Sequence, residues 1–271
     1  GGVLPLGLDV SPIALVMSEE GAAFDIEIGV GANKGTTYTA PGSVLRGFCP
    51  HGESIKPVLP RTSVVEGYLH EDIVNQAFFM LWWGGLTKFS VGPEIIGQYV
   101  TGFDLSDLYV DIDPMLPPVV TSCNPEGQLE AQLGDLYAKA TFGFLEQQAT
   151  LEFYASARGS ASFKVEEVVD APNYLALQLD DIDQLAIEVI AIDGLDPIKK
   201  SILSLMLSDA VVEVFINQFL AGIAGSYPIP NVDLSPWVDE SIHEKPILRL
   251  EMETLQFEAG YVLLGGRVLN Y

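Results

Sequence analysis

The stretch YLHEDIVNQAFFMLWWGGLTKFSV, residues Tyr68 to Val91, decides how this sequence is interpreted. It begins as an amphipathic helix, then is apolar on every side from Ala77 to Trp83, and ends at a pair of glycines. A helix that packs against a single core needs only one apolar stripe. The additional apolar surface therefore predicts that this segment contacts something besides one sheet face.

Two long helices are predicted. The first covers residues 63–84, where Ser63 and Glu66 have the spacing of a capping box at its start. The second covers residues 197–225 and begins with Pro197, a residue favoured in the first turn of a helix. Its few polar side chains follow one narrow side, so it also has more apolar surface than one sheet face can cover.

The remaining segments have the alternation of β-strands. Strands are predicted over residues 1–62, over 86–192 as long antiparallel strands with one solvated face, and over 227–271 as closing strands. No interdomain linker interrupts them, so residues 1–271 are predicted to form a single domain. The predicted fold class is α+β: a highly curved antiparallel sheet wrapped around two long helices.

The composition excludes some classes of function. The chain of 271 residues has 13 Lys and Arg against 37 Asp and Glu, a formal net charge of −24, so it repels nucleic acid and anionic membrane surfaces. The most apolar segment, residues 201–225, contains charged residues that are costly in hydrocarbon, so no transmembrane span is expected. No nucleophile motif or phosphate-binding glycine loop is present, and we expect a protein without catalytic residues.

Two smaller features are open to more than one interpretation. Cys49 and Cys123 lie in loop-like settings, where they could form one structural disulfide or stay reduced. Carboxylate clusters suit Ca²⁺, but the clusters here lack the spacing of a known calcium loop, and solvated carboxylates are the simpler interpretation. The calcium candidates are Asp111, Asp113, Asp181 and Asp183.

The order of these parts resembles the tubular lipid-binding superfamily, which includes the bactericidal/permeability-increasing and lipopolysaccharide-binding proteins. Three stretches carry the resemblance: LHEDIVNQAFFMLWWGGLTKFSV, LQLDDIDQLAIEVIAIDGLDPIKKSILSLM, and AGSYPIPNVDLS followed by LRLEMETLQFEAGYVLLGGRVL. Together they span about residues 60 to 271. Because strands and loops precede the first helix, the chain resembles a C-terminal-type barrel. The resemblance is compatible with a barrel that stands alone and with one cut from a longer protein, so a partner protein or an N-terminal barrel is one of two open alternatives.

The resemblance implies a protein that holds acyl chains or a sterol-like ligand in an apolar cavity between the helices and the curved sheet. The antibacterial members are basic and this chain is acidic, so it implies apolar-chain binding and not endotoxin recognition. The residues predicted to line the cavity are Leu69, Ile73, Met80, Trp83, Ile202, Leu205, Met206, Val212, Phe215, Ile216 and Phe219.

A non-catalytic structural or assembly subunit of a surface or extracellular complex is the alternative, with the apolar helix faces binding protein in place of lipid. A secreted, periplasmic or cell-surface location is expected, because the family that the chain resembles is typically secreted and because a disulfide is possible. No cofactor is implied besides a bound lipid and, through the carboxylate clusters, Ca²⁺.

Overall fold

The fold is taken from a computed structural model, which describes residues 7–18, 21–39, 63, 65–93, 107–122, 129–166, 174–206, 226–228, 248–258 and 260–270. The described elements are twelve strands and two helices. In chain order they are β1 (Gly7–Ser18), β2 (Gly21–Gly31), β3 (Val65–His70), α1 (Asp72–Trp83), β4 (Phe89–Val91), β5 (Tyr109–Pro114), β6 (Val119–Thr121), β7 (Leu129–Phe144), β8 (Gln147–Glu166), β9 (Tyr174–Asp193), α2 (Pro197–Met206), β10 (Ser226–Pro228), β11 (Leu248–Glu258) and β12 (Tyr261–Asn270).

The strands form three antiparallel sheets. The largest has seven strands in the order β10-β9-β8-β7-β5-β4, with the short strand β6 also pairing with β7. A second sheet has the order β11-β12-β3, and β1 pairs only with β2 in a two-stranded sheet. In the large sheet β7, β8 and β9 are 16, 20 and 20 residues long, so they provide most of the framework.

The main core lies on one face of the large sheet. Alternate residues of β7 and β8 are buried there, because successive side chains of a strand point to opposite faces. Many of these buried residues are alanines, such as Ala138, Ala140, Ala149 and Ala155. The opposite face has charged and aromatic side chains, so these long strands have the single solvated face that their alternation predicts.

The helix α1 lies over a second, smaller core. Its buried residues Asn75, Phe78 and Trp82 follow one face, and Phe78 packs with Val120 and Leu129. The side-chain amide of Asn75 pairs with the edge of β6: Nδ2 donates to the Val120 carbonyl at 2.9 Å, and Oδ1 accepts from the Val120 N–H at 2.8 Å. The helix is therefore held by polar side chains that substitute for a neighbouring strand.

The aromatic run of α1 is accounted for by packing within the protein. Trp82 is 1% exposed, and its indole Nε1 donates to the Pro114 carbonyl at 2.7 Å. The Trp83 ring stacks on Phe79 with centroids 5.7 Å apart, and the Lys34 ammonium lies 4.4 Å from the Trp83 centroid. These contacts account for much of the additional apolar surface that the sequence shows in this segment.

The predicted start of the first helix is wrong, because residues 65–70 form strand β3. They pair with residues 261–266 of β12 from His70↔Tyr261 to Val65↔Gly266. The Ser63 N–H does donate to the Glu66 carboxylate at 2.8 Å, so part of the predicted capping box forms without a helix. Pairing with β12 satisfies the backbone groups of these residues, and this long-range contact overrides the local preference.

The structure also contradicts the predicted fold class of a sheet wrapped around two long helices. The described residues are mostly antiparallel sheet, and the two helices are short: α1 has 12 residues and α2 has 10. The first helix is short because β3 takes its predicted N-terminal part. Residues 207–225, which the second helix was predicted to include, lie outside the described residues.

Candidate functional site

The apolar face of the large sheet continues beyond its covered part. On β8, Phe153 and Ala155 are buried within the main core. Their direct partners on β9 are Val189 and Ile187, and directly opposite residues share one face of an antiparallel sheet. Nevertheless Val189 is 46% exposed, and Leu185, on the same face, is 40% exposed.

The helix α2 packs against the covered part of this face. Leu203 of α2 and Leu195 just before the helix are buried in the main core, against which Ile187 and Ile192 of β9 also pack. Leu185 and Val189 lie on either side of Ile187 along β9. Leu185 and Val189 therefore continue the apolar surface of the main core and are left uncovered in the part of the chain that the structure describes. We call this surface the uncovered apolar face.

Several hydrogen bonds fix the position of α2. Asp196 caps the helix, with its Oδ1 accepting from the N–H groups of Ile198 and Lys199 at 3.0 Å. The Lys199 ammonium donates to the carbonyl of Leu145, in the turn between β7 and β8, at 2.7 Å. With the helix held in this orientation, Ile198 is 74% exposed and Ile202, one turn later, is also exposed.

The strand β9 is irregular. Against β8 its register shifts three times, which leaves Asp180, Asp183 and Ile190 as additional residues on β9. The strand β10 pairs with β9 only at residues 174–176, so among the described residues the rest of this edge has no strand partner. Bulges and acidic residues on an edge both oppose pairing with another strand. The edge of β9 is therefore poorly suited to accept a strand from a partner.

The structure distributes the predicted lining residues over several elements. Leu69 lies in β3, while Ile73, Met80 and Trp83 lie on α1, and all four are half-buried. Ile202 is exposed on α2, and Leu205 and Met206 are at the end of that helix. Four more residues lie outside the described residues: Val212, Phe215, Ile216 and Phe219.

The two helices contribute to different clusters. Phe78 of α1 belongs to the smaller core with β6 and β7, whereas Leu203 of α2 belongs to the main core. The predicted cavity shared by both helices stays a prediction, since most of the second group of lining residues is not described.

The calcium candidates are engaged in other contacts or exposed. Asp111 accepts from the Ser90 hydroxyl at 2.5 Å, and Asp113 Oδ2 accepts from both the Tyr38 hydroxyl and the Lys88 ammonium. Asp181 accepts from the next backbone N–H in the chain, and Asp183 is exposed at a bulge. The described residues contain no group of three or more His, Cys, Asp or Glu that could hold a metal ion.

Two further expectations concern disulfide bonding and the membrane. Cys49 and Cys123 lie outside the described residues, so their pairing stays a prediction. Within the described residues no helix combines the length and apolar character needed to cross a membrane.

The outer face of the large sheet has a polar network with shifted pKa values. The hydrogen bond to Asp113, together with burial, raises the pKa of Tyr38 to about 12. Next to it, the hydrogen bond from Lys139 lowers the pKa of Glu152. The acidic groups on these strands are thus compensated by cationic or hydroxyl partners.

Comparison with known proteins finds structural similarity to solved structures. The chain is similar to a solved structure described as the crystal structure of lipopolysaccharide binding protein, with 12% sequence identity and a TM-score of 0.26. The match covers 98% of this chain and 55% of that protein. Similarity at this TM-score carries no argument about function. No protein family matches the chain, and no curated protein matches it.

The lining residues predicted from the sequence do not include those of the uncovered apolar face. The alternation of Leu185, Ile187 and Val189 predicts one apolar face of a strand, but it does not distinguish a buried face from an uncovered one. That difference depends on how much of this face is covered by α2. The charged residues at 180, 181 and 183 are the local signal that this strand lies at an edge.

Proposed function

We propose that this protein binds an apolar small molecule of the lipid class on the uncovered face of β9 next to α2. The observation that supports the proposal is the difference in burial across one sheet face: Phe153 on β8 is 4% exposed, while Val189, directly opposite on β9, is 46% exposed. A hydrocarbon chain placed along β9 would remove this surface from water and extend the main core.

The proposed role is passive. Binding would be driven by removal of apolar surface from water, at about 0.8 kcal/mol for each methylene that is fully buried. A chain that lies on an open face is buried on one side only, so each methylene contributes roughly half of that. The ligand would be held reversibly, without catalysis, in a secreted, periplasmic or cell-surface setting.

The first experiment is to extract the purified full chain with organic solvent and to identify lipids in the extract by mass spectrometry. The second is to titrate an uncharged fluorescent hexadecyl probe into the wild-type chain and into the variant Leu185→Ser with Val189→Ser. Each substitution removes a partly buried contact worth about 1 kcal/mol, so the pair should weaken binding by about thirtyfold.

A matched control variant introduces the same hydroxyl groups on the other face of β9. Ala186 and Ala191 lie opposite Ser156 and Glu152 on the solvated side of the sheet, so Ala186→Ser with Ala191→Ser should bind the probe like the wild type. If both variants bind equally well, or if the wild type neither contains a lipid nor binds the probe, the proposed function is wrong.

One observation favours the assembly alternative: Ile198 on α2 is exposed, and a single hydrocarbon chain lying on β9 would leave it uncovered. A protein partner would then bury this helix face. The molecular mass in solution distinguishes the two functions: a monomer that contains lipid supports the carrier, and an obligate oligomer or larger complex supports the assembly subunit.

A further inference from the structure

The hairpin of β1 and β2 is joined to the rest of the described chain by packing and not by strand pairing. Its strands pair with each other from Gly7↔Gly31 to Ser18↔Gly21, and in the described residues neither pairs with a strand of the other two sheets. A two-stranded ribbon alone is only marginally stable in water. The hairpin therefore depends on the surface against which it packs.

That surface is α1, which lies between two layers. Among the described elements, β2 and β6 are the strands that chiefly pack against this helix. On the β6 side, Asn75 pairs with Val120 and Phe78 belongs to the smaller core. Ile73 and Met80 lie on the opposite side of the helix from Asn75, by the helical period, and both are half-buried. The strand β2 therefore covers a second apolar side of α1.

A strap, residues 34–38, follows β2 and fastens the hairpin at two places. The Gly35 N–H donates to the Trp83 carbonyl, at the end of α1, at 2.7 Å. The Tyr38 hydroxyl donates to Asp113 Oδ2, on the outer face of β5, at 2.8 Å. The hairpin is thus held by packing on one helix and by a few hydrogen bonds, whereas β7 and β8 are paired over most of their length.

We propose that the β1–β2 hairpin is a lid over α1, with the strap as its latch, and that the lid opens as one unit while the large sheet stays folded. Elements with little packing open locally at a lower free energy than the whole domain. Once released from α1, the ribbon would also lose its own pairing, because it is marginal alone. Opening would uncover Ile73 and Met80 and give apolar molecules access to this side of the helix. The inference is independent of the proposed function, since Leu185 and Val189 lie on β9.

Two single-residue variants separate opening of the lid from unfolding of the whole protein. Tyr38→Phe removes the latch hydroxyl, while Asp113 keeps the Lys88 ammonium as its partner at 2.7 Å, so β5 retains its charge compensation. Leu151→Val removes one methylene from the main core, which has the same packing whether the lid is open or closed. Tyr109→Phe, which changes an exposed tyrosine on the same strand as Asp113, is the control.

Native-state hydrogen exchange of the full chain in low urea is the first measurement. The amides of β1 and β2 should exchange through one opening, with a smaller free energy and a weaker urea dependence than those of β7 and β8. Tyr38→Phe should speed exchange in the hairpin about tenfold, because the lost hydroxyl donates to a charged acceptor. Leu151→Val should speed exchange in β7 and β8 about fivefold and leave the hairpin unchanged. Tyr109→Phe should change neither.

Thiol labelling tests whether opening uncovers α1. Met80→Cys and Val74→Cys each place a thiol at a half-buried position, the first on the side of β2 and the second against the smaller core. With iodoacetamide in native buffer, Met80→Cys should react about tenfold faster than Val74→Cys, since opening of the lid is enough to uncover it. Tyr38→Phe in the same chain should speed its reaction about tenfold more. Peptide masses distinguish the introduced thiols from Cys49 and Cys123.

Any of three results would overturn the lid. In the first, Leu151→Val speeds exchange in the hairpin as much as in β7 and β8, which would mean that the hairpin opens only with the whole protein. In the second, the hairpin amides of the wild type show no protection, which would mean that the hairpin is never closed over α1. In the third, Tyr38→Phe leaves hairpin exchange and Met80→Cys labelling unchanged, or Val74→Cys reacts as fast as Met80→Cys.

Discussion

Replacement of Glu71 by alanine should destabilise the whole junction between α1, β6 and β12. The Glu71 carboxylate is buried, with the residue 4% exposed. Its Oε2 accepts from the Ser122 N–H at 2.7 Å and from the Ser122 hydroxyl at 2.8 Å, and its Oε1 accepts from the Thr121 hydroxyl at 3.1 Å. The Ser122 hydroxyl oxygen in turn accepts from the Gly260 N–H at 2.8 Å.

The expected loss follows from this geometry. A hydrogen bond to a charged group contributes about 1.5–3 kcal/mol, and a buried donor that loses its acceptor costs about 1–3 kcal/mol. The contributions are not additive, because the carboxylate itself costs free energy to bury. We therefore expect Glu71→Ala to lower the free energy of unfolding by about 3–5 kcal/mol, because three neutral donors lose the same buried acceptor.

Urea unfolding, with the midpoint and the slope both measured, gives the change in the free energy of unfolding. Glu71→Gln is the informative partner variant, since its amide oxygen still accepts from Ser122, and it should cost only about 1–2 kcal/mol. Glu27→Ala, at an exposed position of β2, should change stability by less than about 0.5 kcal/mol.

Hydrogen exchange makes the test local. The amides of Ser122 and Gly260 should lose protection in Glu71→Ala, because one donates directly to the carboxylate and the other to the hydroxyl that the carboxylate orients. If Glu71→Ala unfolds within about 1 kcal/mol of the wild type and both amides stay protected, the reasoning about this junction is refuted.

Three further predictions concern single positions. In Gly35→Ala the added Cβ would lie 2.1 Å from a backbone carbonyl oxygen, so the substitution should disrupt the contact between the segment that follows β2 and the end of α1. A change in Trp fluorescence should report the disruption. Gly31→Ala, whose Cβ would have no atom within 4 Å, should leave the fluorescence unchanged. Leu145 and Glu146 are exposed turn residues with positive φ, 47° and 66°, a conformation that Asn and Gly adopt more readily. Leu145→Asn with Glu146→Gly should therefore raise the free energy of unfolding by about 1 kcal/mol and raise the melting temperature. An unchanged or lower melting temperature would contradict this prediction. The hydrogen bond to Asp113 raises the pKa of Tyr38 to about 12, so the contribution of this bond to stability is complete below pH about 10 and is lost as the pH rises through about 12. An NMR titration of the Tyr38 ring carbon should have its midpoint near 12. A midpoint near 10 would contradict the hydrogen bond.

The long strands were the most predictable part of the fold. Alternation over residues 129–193 is strong because one face of β7 and β8 is buried and the other is solvated, so the pattern in the sequence records the burial directly. Strand β3 was not predictable in the same way. Its residues have helical spacing and a capping signal, and their pairing partner in β12 is far away in the sequence.

The candidate site was less predictable than the fold. The sequence marks Leu185 and Val189 as apolar strand positions, but their exposure depends on which part of the sheet α2 covers. The polar contacts of Glu71 and Asn75 were also missed, because a carboxylate or amide on a helix normally indicates the solvated side. Here these side chains face a short strand whose backbone groups they satisfy.

The pairing of β3 with β12 has a consequence for synthesis of the protein on the ribosome. His70 and Tyr261 are partners about 190 residues apart, so most of the chain is synthesised after β3 before its partner strand β12 leaves the ribosome. During this interval the nascent segment before α1 has free backbone groups and half-apolar side chains, a state in which chaperones bind and neighbouring chains aggregate. Slow or interrupted translation should therefore lower the yield of this protein, mainly because this early segment aggregates. The β7–β8 hairpin should contribute less to that loss, because its strands follow each other directly and can pair at once.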